Sequence, residues 1–322
     1  MRCLQHPSID TLEEALGERI ISLTVLPGAE AGAHSQVFAL RTTGDEYVLR
    51  VPKGRQGFCT RFVESHIDMA NWFDQRWAMD LAHGLGIPAP RIICSSRPGA
   101  SRSTAFVVME RLPGVAIDST YERWQACPYD EAEFGEILRK LHATTISGAG
   151  PIDDFGKTYF PTWDSFFQAM AGRAMDMCLA RGSIDRLLHE GLRRVWFAQF
   201  GALAGVEPRL LHLESLGFSN ILYDPATKHI TGFLDYEDCI GGDPLFEFAW
   251  MDYYLGGRDG DRKYFSYPRF MEGYADRPGP ESRIEIYSPF MLLDKLSWIR
   301  PDSERAEGYR QRLRALCAGW SD

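Results

Sequence analysis

The sequence predicts an α+β protein with two lobes, a β-rich N-terminal lobe followed by a mostly α-helical C-terminal lobe. Before residue 112, most apolar segments are short, rich in β-branched and aromatic residues, and separated by turn residues, which is typical of strands. Beyond residue 114, apolar residues mostly recur every three or four positions, which is typical of helices. The length of 322 residues agrees with two lobes, and we expect these to comprise residues 1–112 and 113–322.

The N-terminal lobe is predicted to be a small antiparallel sheet with one crossing helix. A capping box at Thr11 and Glu14 predicts a short helix before the first strand. Apolar residues at helical spacing predict a long helix over residues 61–85, which ends before Pro88 and Pro90 because these prolines require extended backbone. Strands are expected at residues 20–26, 35–41, 46–51, 91–94 and 104–110.

The C-terminal lobe is predicted to be helical except for one short pair of strands. Residues 131–143 carry a single apolar face, and a second helix is expected from an N-cap at Ser183 to about residue 203. The stretch 289–318 is also helical in pattern. The exception is a β-like region, for which strands are predicted at residues 221–223 and 230–235.

Composition and charge exclude several classes of protein. The formal net charge of −9 leaves no excess of cations to neutralise phosphates, so nucleic acid is not an expected partner. No apolar run approaches the roughly 18 residues of a membrane span, and the N-terminus lacks the apolar region of a signal peptide. Seven cysteines without a C-x-x-C spacing indicate reduced thiols. We therefore expect a cytoplasmic protein, either a monomer or a homodimer.

The densest acidic region carries the most informative motifs. Residues 201–261 contain eleven acidic and three basic residues. Within this region, the segment 211–222 reads LHLESLGFSNIL, the segment 232–238 reads GFLDYED, and the segment 242–244 reads GDP. Asn220 and the strand-ending Asp235 are fifteen residues apart, and this spacing favours a functional site over isolated turn residues.

These segments resemble the catalytic loop and metal-binding segment of the aminoglycoside phosphotransferase and choline kinase family, which has a protein-kinase-like fold. In that family a His-x-Asp-x4-Asn loop precedes a strand hairpin that ends in a second Asp, and Gly-Asp-Pro follows. The resemblance extends to the strand at 47–51, the link at 86–90 and the hinge at 107–114. Within the family, the chain is most like the hygromycin phosphotransferases, through Arg50 in place of the usual Lys and the stretch 150–156 that leads into Thr162, Trp163 and Phe166.

The resemblance implies ATP-dependent transfer of a phosphoryl group to a hydroxyl, with Mg²⁺ as the metal and GTP left open as an alternative nucleotide. Asp235 would bind Mg²⁺ at the nucleotide phosphates, and Asn220 would offer a neutral oxygen to the same or a second ion, because Mg²⁺ prefers oxygen ligands. Asp243 of Gly-Asp-Pro is expected to be a turn or helix cap. His212 joins the catalytic set as a hydrogen-bonding residue that holds the loop rather than as the base.

The catalytic loop departs from the family pattern at the base. The expected Asp is Glu214, and Asn220 follows it after six residues rather than five. A carboxylate at this position would accept the proton of the attacking hydroxyl, so Glu214 is our predicted base. Counting back from Asn220 instead places Ser215 there, which cannot act as a carboxylate. A nucleotide-binding protein with impaired catalysis therefore remains an alternative.

On the nucleotide side, the resemblance implies contacts from five positions. The turn that ends at Ser35 would face the phosphates with its backbone N–H groups and the Ser35 hydroxyl. Arg50 would offer a fork of donors to the phosphates, and Asp74 is aligned with the helix acid that orients this cation, with Gln75 and Glu64 as alternatives. The backbone C=O of Glu110 and N–H of Leu112 would bind the edge of adenine.

The predicted substrate is a small cationic molecule with many hydroxyl groups, similar to the aminocyclitol hygromycin. Carboxylates would attract such a molecule by charge, and Glu237, Asp238 and Asp252 are the candidate contacts. The expected role is antibiotic resistance by phosphorylation. A kinase for another hydroxylated metabolite or natural product is the second interpretation, because acidic residues are expected near any metal site of this kind.

Overall fold

A five-stranded antiparallel sheet forms the core of the N-terminal lobe in the computed structural model of the chain. Its strands, in the spatial order β1-β2-β3-β5-β4, are β1 (Ile20–Val25), β2 (Ser35–Thr42), β3 (Glu46–Pro52), β4 (Ile92–Ser96) and β5 (Phe106–Glu110). Leu12 of helix α1 (Ile9–Leu16) packs with the buried face of this sheet in a small apolar cluster. The structure describes residues 7–26, 35–52, 62, 74–97, 105–116, 127–213, 220–254 and 265–320.

Helix α2 (Arg76–Gly84) joins the two lobes. Its buried residues Ala78, Met79 and Ala82 belong to the large apolar cluster of the C-terminal lobe rather than to the small cluster under the sheet. The Phe62 ring contacts the Phe290 ring edge-on, with 5.3 Å between the ring centres. The two lobes therefore share one apolar core on this side of the molecule.

The C-terminal lobe is mainly helical and is built around buried aromatic residues. Trp163 and Phe167 lie at its centre and contact Phe246 and Tyr287. Within the described ranges, no helix has both the length and the apolarity to cross a membrane. The helices are α3 (Glu131–His142), α4 (Trp163–Ala180), α5 (Arg186–Val195), the 3₁₀ segment Phe197–Leu203, α6 (Pro244–Tyr254), α7 (Tyr267–Tyr274), α8 (Ser282–Trp298) and α9 (Glu304–Gly319).

Two small sheets lie where the C-terminal lobe meets the N-terminal sheet. In the first, β9 (Ile221–Tyr223) pairs with β10 (Ile230–Phe233) on one side and with β6 (Val115–Ala116) on the other. In the second, β11 (Cys239–Gly242) lies between β7 (Gly150–Pro151) and β8 (Arg209–His212). These short strands carry the segments that the sequence motifs singled out.

The structure confirms most of the predicted elements and corrects several of their boundaries. Helix α1 begins one turn before the predicted capping box, because the Ser8 hydroxyl, not that of Thr11, accepts the first free N–H, at 3.1 Å. Asp185 rather than Ser183 caps the helix of the 183–203 stretch, since the Ser183 hydroxyl donates to a carbonyl of α8. The predicted long helix is interrupted: α2 begins only at Arg76, after a left-handed residue, Gln75, and residues 63–73 lie outside the described residues.

Candidate functional site

Two antiparallel strand pairs bring the motif segments to one place. His212 pairs with Cys239 at the end of β8 and the start of β11, so the chain that leaves β8 lies beside residues 236–238. Phe233 pairs with Ile221 in the β9–β10 hairpin, so residue 220 lies beside residues 234 and 235. The register of these two strand pairs therefore brings the end of β8, residue 220 and residues 234–238 together at one site.

Asn220 and Asp235, the predicted metal ligands, meet at the open end of the β9–β10 hairpin. The backbone N–H of Leu234 donates to the carbonyl of Asn220 at 2.8 Å. Asp235 follows in a left-handed conformation (φ 67°, ψ 67°), which for a residue other than glycine costs on the order of 1–3 kcal/mol and is typical of functional sites. The structure thus places the backbones of the two residues side by side.

The oxygen donors at these two positions fit Mg²⁺. Mg²⁺ binds through one or two carboxylate or amide oxygens and completes its octahedron with phosphate oxygens and water. Among the described residues, no group of three or more His, Cys, Asp or Glu side chains forms a closed metal cage. Asp235 and Asn220 would be the residues that hold such an ion, and their role stays a prediction.

Arg50 of β3 forms the densest set of polar contacts in the site. Its Nε atom donates to Ser35 Oγ at 2.7 Å, its Nη1 atom donates to Gln75 Oε1 at 2.9 Å, and its Nη2 atom forms an ion pair with Glu237. The Arg50 and Glu237 side chains are both buried, with 13% and 9% of their surface exposed. This ion pair joins the N-terminal sheet to the segment that follows Asp235.

The charges around Arg50 explain the shifted pKa values of the pair. Burial opposes the charged guanidinium, but the carboxylates of Glu237 and Asp235 outweigh it, and the pKa of Arg50 is raised. Burial raises the pKa of Glu237 to about 7 against the opposing effect of Arg50, and the negative charges of Asp235 and Asp238 add to the increase. A cation that faces several carboxylates is the environment expected for a site that binds a negatively charged phosphate together with a metal ion.

Asp74 does not orient Arg50 in the way the resemblance implied. Its carboxylate accepts hydrogen bonds from Ser95 Oγ at 2.9 Å and from the backbone N–H of Arg76 at 3.2 Å, which turns it toward β4 and away from Arg50. Gln75, which the sequence left as an alternative, is the residue that contacts the guanidinium. The backbone is left-handed at Gln75 (φ 52°), directly after Asp74, and the two side chains make separate contacts.

The predicted substrate contacts are also corrected in part. Glu237 directs its carboxylate to Arg50 and is not turned toward a ligand. Asp238 is 2% exposed and so offers almost no surface to a substrate in this structure. Asp252, on α6, is half-buried and stays a predicted contact. The ion pair of Glu237 with Arg50 and the burial of Asp238 are what argue against the first two contacts.

His212 is buried and holds its place through packing and its backbone. Its ring lies against Phe233 and Tyr236, with 4.8 and 4.6 Å between ring centres. Neither ring nitrogen has a hydrogen-bond partner within the described part of the chain. Residues 214–219 lie outside the described residues, so the role of the ring in holding that loop stays a prediction. The backbone N–H of His212 donates instead to Glu247 Oε2 at 3.2 Å. Burial lowers the pKa of His212, while the carboxylates of Glu247 and Asp235 act in the opposite direction.

A buried polar network holds the end of β8, the strand that precedes the predicted catalytic loop. Glu247 of α6 also accepts from His142 Nε2 at 2.9 Å, and His142 Nδ1 lies 2.8 Å from the hydroxyl of Tyr274. The network ties α3, α6 and α7 to the end of β8. Since burying a carboxylate is costly unless it is hydrogen-bonded, these contacts are what allow Glu247 to remain fully buried.

Asp243 of the Gly-Asp-Pro motif has a structural role, as predicted. Its Oδ1 atom accepts from the backbone N–H of Leu245 at 3.1 Å at the start of α6, and its Oδ2 atom accepts from the Tyr287 hydroxyl at 2.7 Å. The Arg283 Nε atom lies 3.0 Å from the same carboxylate. Asp243 therefore anchors α6 to α8, and with α6 it anchors the Glu247 network.

The hinge residues lie where the chain crosses between the lobes. Glu110 ends β5 and pairs with Tyr47 of β3, and the chain then passes through Leu112 to β6, which pairs with β9 of the C-terminal lobe. This position suits backbone contacts to an adenine edge, and the role of both residues stays a prediction. Glu214, Ser215 and the turn at residues 27–34 lie outside the described residues, so the identity of the base also stays a prediction.

Sequence reasoning missed one acidic residue of the site, Asp154, in the loop after β7. Its Oδ1 atom accepts the backbone N–H of Gln75 at 2.7 Å and that of Asp74 at 3.1 Å. The stretch 150–156 had been noticed only for its likeness to the hygromycin enzymes. Its place near the site depends on the pairing of β7 with β11, which no local sequence pattern indicates. The aromatic residues Trp163 and Phe166, from the same likeness, are fully buried core residues.

Known proteins resemble this chain over most of its length. A sequence model described as a phosphotransferase enzyme family matches residues 25–285. The chain is 24% identical over 301 residues to the hygromycin-B 4-O-kinase of Escherichia coli, which covers 89% of this chain and 78% of that protein.

The fold is similar to that of solved kinases. One is a thermostable mutant of aminoglycoside phosphotransferase APH(4)-Ia in a ternary complex with AMP-PNP and hygromycin B, with a TM-score of 0.65, 20% identity and coverage of 96% of this chain and 97% of that one. Another is choline kinase LicA from Streptococcus pneumoniae, with a TM-score of 0.56, 16% identity and coverage of 97% and 99%. The predicted bilobal, protein-kinase-like α+β fold is thereby confirmed.

Proposed function

The chain belongs to the phosphotransferase enzyme family, and on that premise we propose that it transfers the γ-phosphoryl group of ATP to a hydroxyl of a cationic aminocyclitol related to hygromycin B. The chain is a kinase that uses an alcohol group as acceptor. The proposal is supported by the hydrogen bond that holds Asn220 beside Leu234, the residue before Asp235, and by the electrostatic effect of Asp235 on Arg50. These residues would supply the oxygen donors and the cation that a metal-bound triphosphate requires.

We assign each residue of the site a role in that reaction. Arg50 binds the phosphates through its fork of donors, supported by Ser35. Asp235 and Asn220 hold Mg²⁺, which when bound neutralises phosphate charge. Glu214 accepts the proton of the acceptor hydroxyl while the oxygen of that hydroxyl bonds to the γ-phosphorus. The bond between the γ-phosphorus and the β–γ bridging oxygen breaks, and ADP is released. The backbone of Glu110 and Leu112 binds adenine, and the lobes divide at residues 112 and 113.

The substrate class rests on the similarity to the hygromycin-B 4-O-kinase, and phosphorylation of such an antibiotic would confer resistance. A kinase for another hydroxylated metabolite is the second candidate. This second candidate is favoured because Glu237 is paired with Arg50 and Asp238 is buried. The site therefore presents fewer carboxylates to attract a polycation than the sequence predicted. Asp252 remains the proposed anionic contact. The cytoplasmic location and the oligomeric state stay predictions.

The test is incubation of the protein with Mg-ATP and, separately, Mg-GTP, together with a panel of acceptors. The panel contains hygromycin B, other aminocyclitols, choline, neutral sugars and amino alcohols, and the readout is the mass gain of one phosphoryl group. Product with hygromycin B alone supports the first candidate, and product with another acceptor supports the second. Nucleotide binding without any product would leave a binding protein and contradict the proposed reaction.

Two substitutions test the assigned roles. Asp235→Asn should abolish turnover, because a neutral amide cannot replace the carboxylate at the metal. Glu214→Gln should lower kcat by about 10²–10⁴ while ATP affinity stays close to that of the unaltered protein. Ser215→Ala is the matched control for the base and should retain turnover. If Glu214→Gln has no effect while Ser215→Ala is inactive, the proposed register of the loop is wrong.

A further inference from the structure

A second acidic residue near Arg50, besides Glu237, also comes from the C-terminal lobe. Asp154 lies in the loop that follows β7, and its backbone neighbour Ile152 donates to the carbonyl of Cys239, so the loop runs beside the start of β11 and the turn that carries Glu237. The Asp154 side chain is 1% exposed. Its Oδ2 atom accepts from Arg97 Nη2 at 2.8 Å, and its Oδ1 atom accepts two backbone N–H groups of the segment before α2.

Those two backbone bonds hold Gln75 in an unusual conformation. Gln75 has φ 52° and ψ 25°, the left-handed region, although it is not a glycine. Such a conformation persists only where surrounding contacts impose it. The shorter of the two bonds from Asp154, at 2.7 Å, is to the N–H of Gln75 itself, so Asp154 is placed to impose it.

The conformation of Gln75 decides where its side chain points. Gln75 is the residue before α2, yet its side chain makes no capping bond to that helix. Its Oε1 atom instead accepts from Arg50 Nη1 at 2.9 Å. Asp154 also acts on Arg50 electrostatically, in the direction that favours the charged guanidinium. The neutral side-chain amide of Gln75 thus contacts Arg50, and the buried carboxylate of Asp154 accepts the backbone N–H of the same residue.

We propose that Asp154 is a positioning residue for Arg50: acting through Gln75, it aims the guanidinium at the β- and γ-phosphates of the nucleotide. The proposal rests on the proposed function, because it concerns the same phosphate site. It replaces the predicted helix acid Asp74 by an acid from the C-terminal lobe. The phosphate-binding group of one lobe is then correctly oriented only when the loop at 150–157 of the other lobe is in place.

The first experiment measures nucleotide binding by calorimetry for Asp154→Ala and Asp154→Asn, using ATP and AMP. AMP lacks the β- and γ-phosphates but keeps the α-phosphate, so it reports on the adenine, ribose and α-phosphate contacts. Asp154→Ala should weaken ATP binding about tenfold, as expected for one misplaced charge-assisted contact, and leave AMP binding within about twofold. Asp154→Asn keeps an oxygen that can accept the Gln75 N–H, so its effect on ATP should be smaller.

A matched control separates positioning from a loss of stability. The side chain of Asp294 in α8 is likewise buried, with 3% of its surface exposed, and its Oδ1 atom accepts from Trp298 Nε1, outside the phosphate site. Asp294→Asn should lower the melting temperature without changing the ratio of ATP to AMP affinity. If Asp154→Ala likewise lowers the melting temperature but leaves that ratio unchanged, Asp154 has only a structural role and the proposal is overturned.

The second experiment tests the path through Gln75 with a double-mutant cycle. Gln75→Gly adopts the left-handed conformation without strain but removes the Oε1 contact to Arg50, so it should weaken ATP relative to AMP as Asp154→Ala does. If the two residues act in series, the double variant should be little worse than either single variant. Additive losses would overturn the path through Gln75.

The proposed function and this inference fail in different ways. If the unaltered protein binds neither ATP nor inorganic tripolyphosphate, both are overturned. If it binds ATP and transfers phosphate, and Asp154→Ala has the same ATP to AMP ratio, only the inference is overturned.

Discussion

At the scale of single residues, His212 is held by the packing of its ring and by a hydrogen bond of its backbone. Its ring is buried between Phe233 and Tyr236, and only its backbone N–H takes part in the Glu247 network. Burial lowers the pKa of His212. Burial therefore favours the neutral imidazole in the folded protein, relative to a histidine of the unfolded chain.

This burial predicts that His212→Phe removes part of the acid sensitivity of the protein. Because the pKa of His212 is lower in the folded protein than in the unfolded chain, the unfolded chain binds the proton more readily, and the free energy of unfolding falls as the pH falls through the unfolded-state pKa. Between pH 7.5 and 5.5 the free energy of unfolding should therefore fall less in the phenylalanine variant than in the unaltered protein. Urea unfolding at both pH values measures the difference. Equal pH dependence in the two proteins would show that the His212 environment is not as described.

Some residues of the site were predictable from the sequence and others were not. Asn220 and Asp235 were identifiable because a short hairpin fixes their separation along the chain and in space alike. Asp154 and Gln75 are 79 positions apart, and their contact depends on the register of β7 on β11, which local patterns do not encode. Glu237 was misassigned to the substrate because its acidic neighbours suggested an open, charged surface, whereas the fold pairs it with Arg50.

At the scale of elements, α3 and α7 cross with their backbones in unusually close approach. A Cβ atom added to Gly135 would lie 2.1 Å from the carbonyl oxygen of Phe270, and one added to Gly273 would lie 1.7 Å from that of Ala132. Because neither obstacle is a flexible side chain, both positions require glycine. The crossing carries His142 and Tyr274, which hold Glu247 and through it the end of β8.

We expect Gly273→Ala to destabilise the protein strongly, although alanine is the better helix former. The backbones of α3 and α7 must separate to accept the methyl group, which should cost about 1–3 kcal/mol or more in the free energy of unfolding. The matched control is Gly191→Ala in α5, where an added Cβ has no atom within 4 Å and the change should stabilise by about 0.5–1 kcal/mol. Urea unfolding of both variants checks the contrast, and equal effects would contradict the close crossing.

The elements that the sequence located well are those with one clear apolar face. The pattern at residues 131–143 gave α3 almost to its ends. Helix α4 was not predicted, because its outer face carries Ala169, Met177 and Leu179 in addition to the buried stripe, and these blur the periodicity. The break at Gln75 was invisible for another reason: a single left-handed residue leaves the apolar spacing on either side unchanged.

At the scale of the whole molecule, the two lobes are joined by apolar and charged contacts. The Phe62–Phe290 contact and α2 extend the large cluster toward the N-terminal sheet. Arg50 and Glu237 form a buried ion pair between the sheet and the 236–238 turn, and Asp154 binds the backbone before α2. If one lobe unfolded alone, a buried charge of the other lobe would lose its partner. An unpaired buried charge raises the free energy of the partly unfolded state.

These contacts predict that the two lobes unfold together. Differential scanning calorimetry should show one transition for the unaltered protein. Leu12→Ala tests the coupling from the small N-terminal cluster, where Leu12 is fully buried, and Phe290→Ala tests it from the large one. Each should destabilise by about 2–5 kcal/mol and lower the temperature of the same single transition by roughly 5 °C. If Leu12→Ala instead splits off an early transition that Mg-ATP does not shift, the N-terminal sheet is an independent unit and the polar contacts to Arg50 and Gln75 do not couple the lobes.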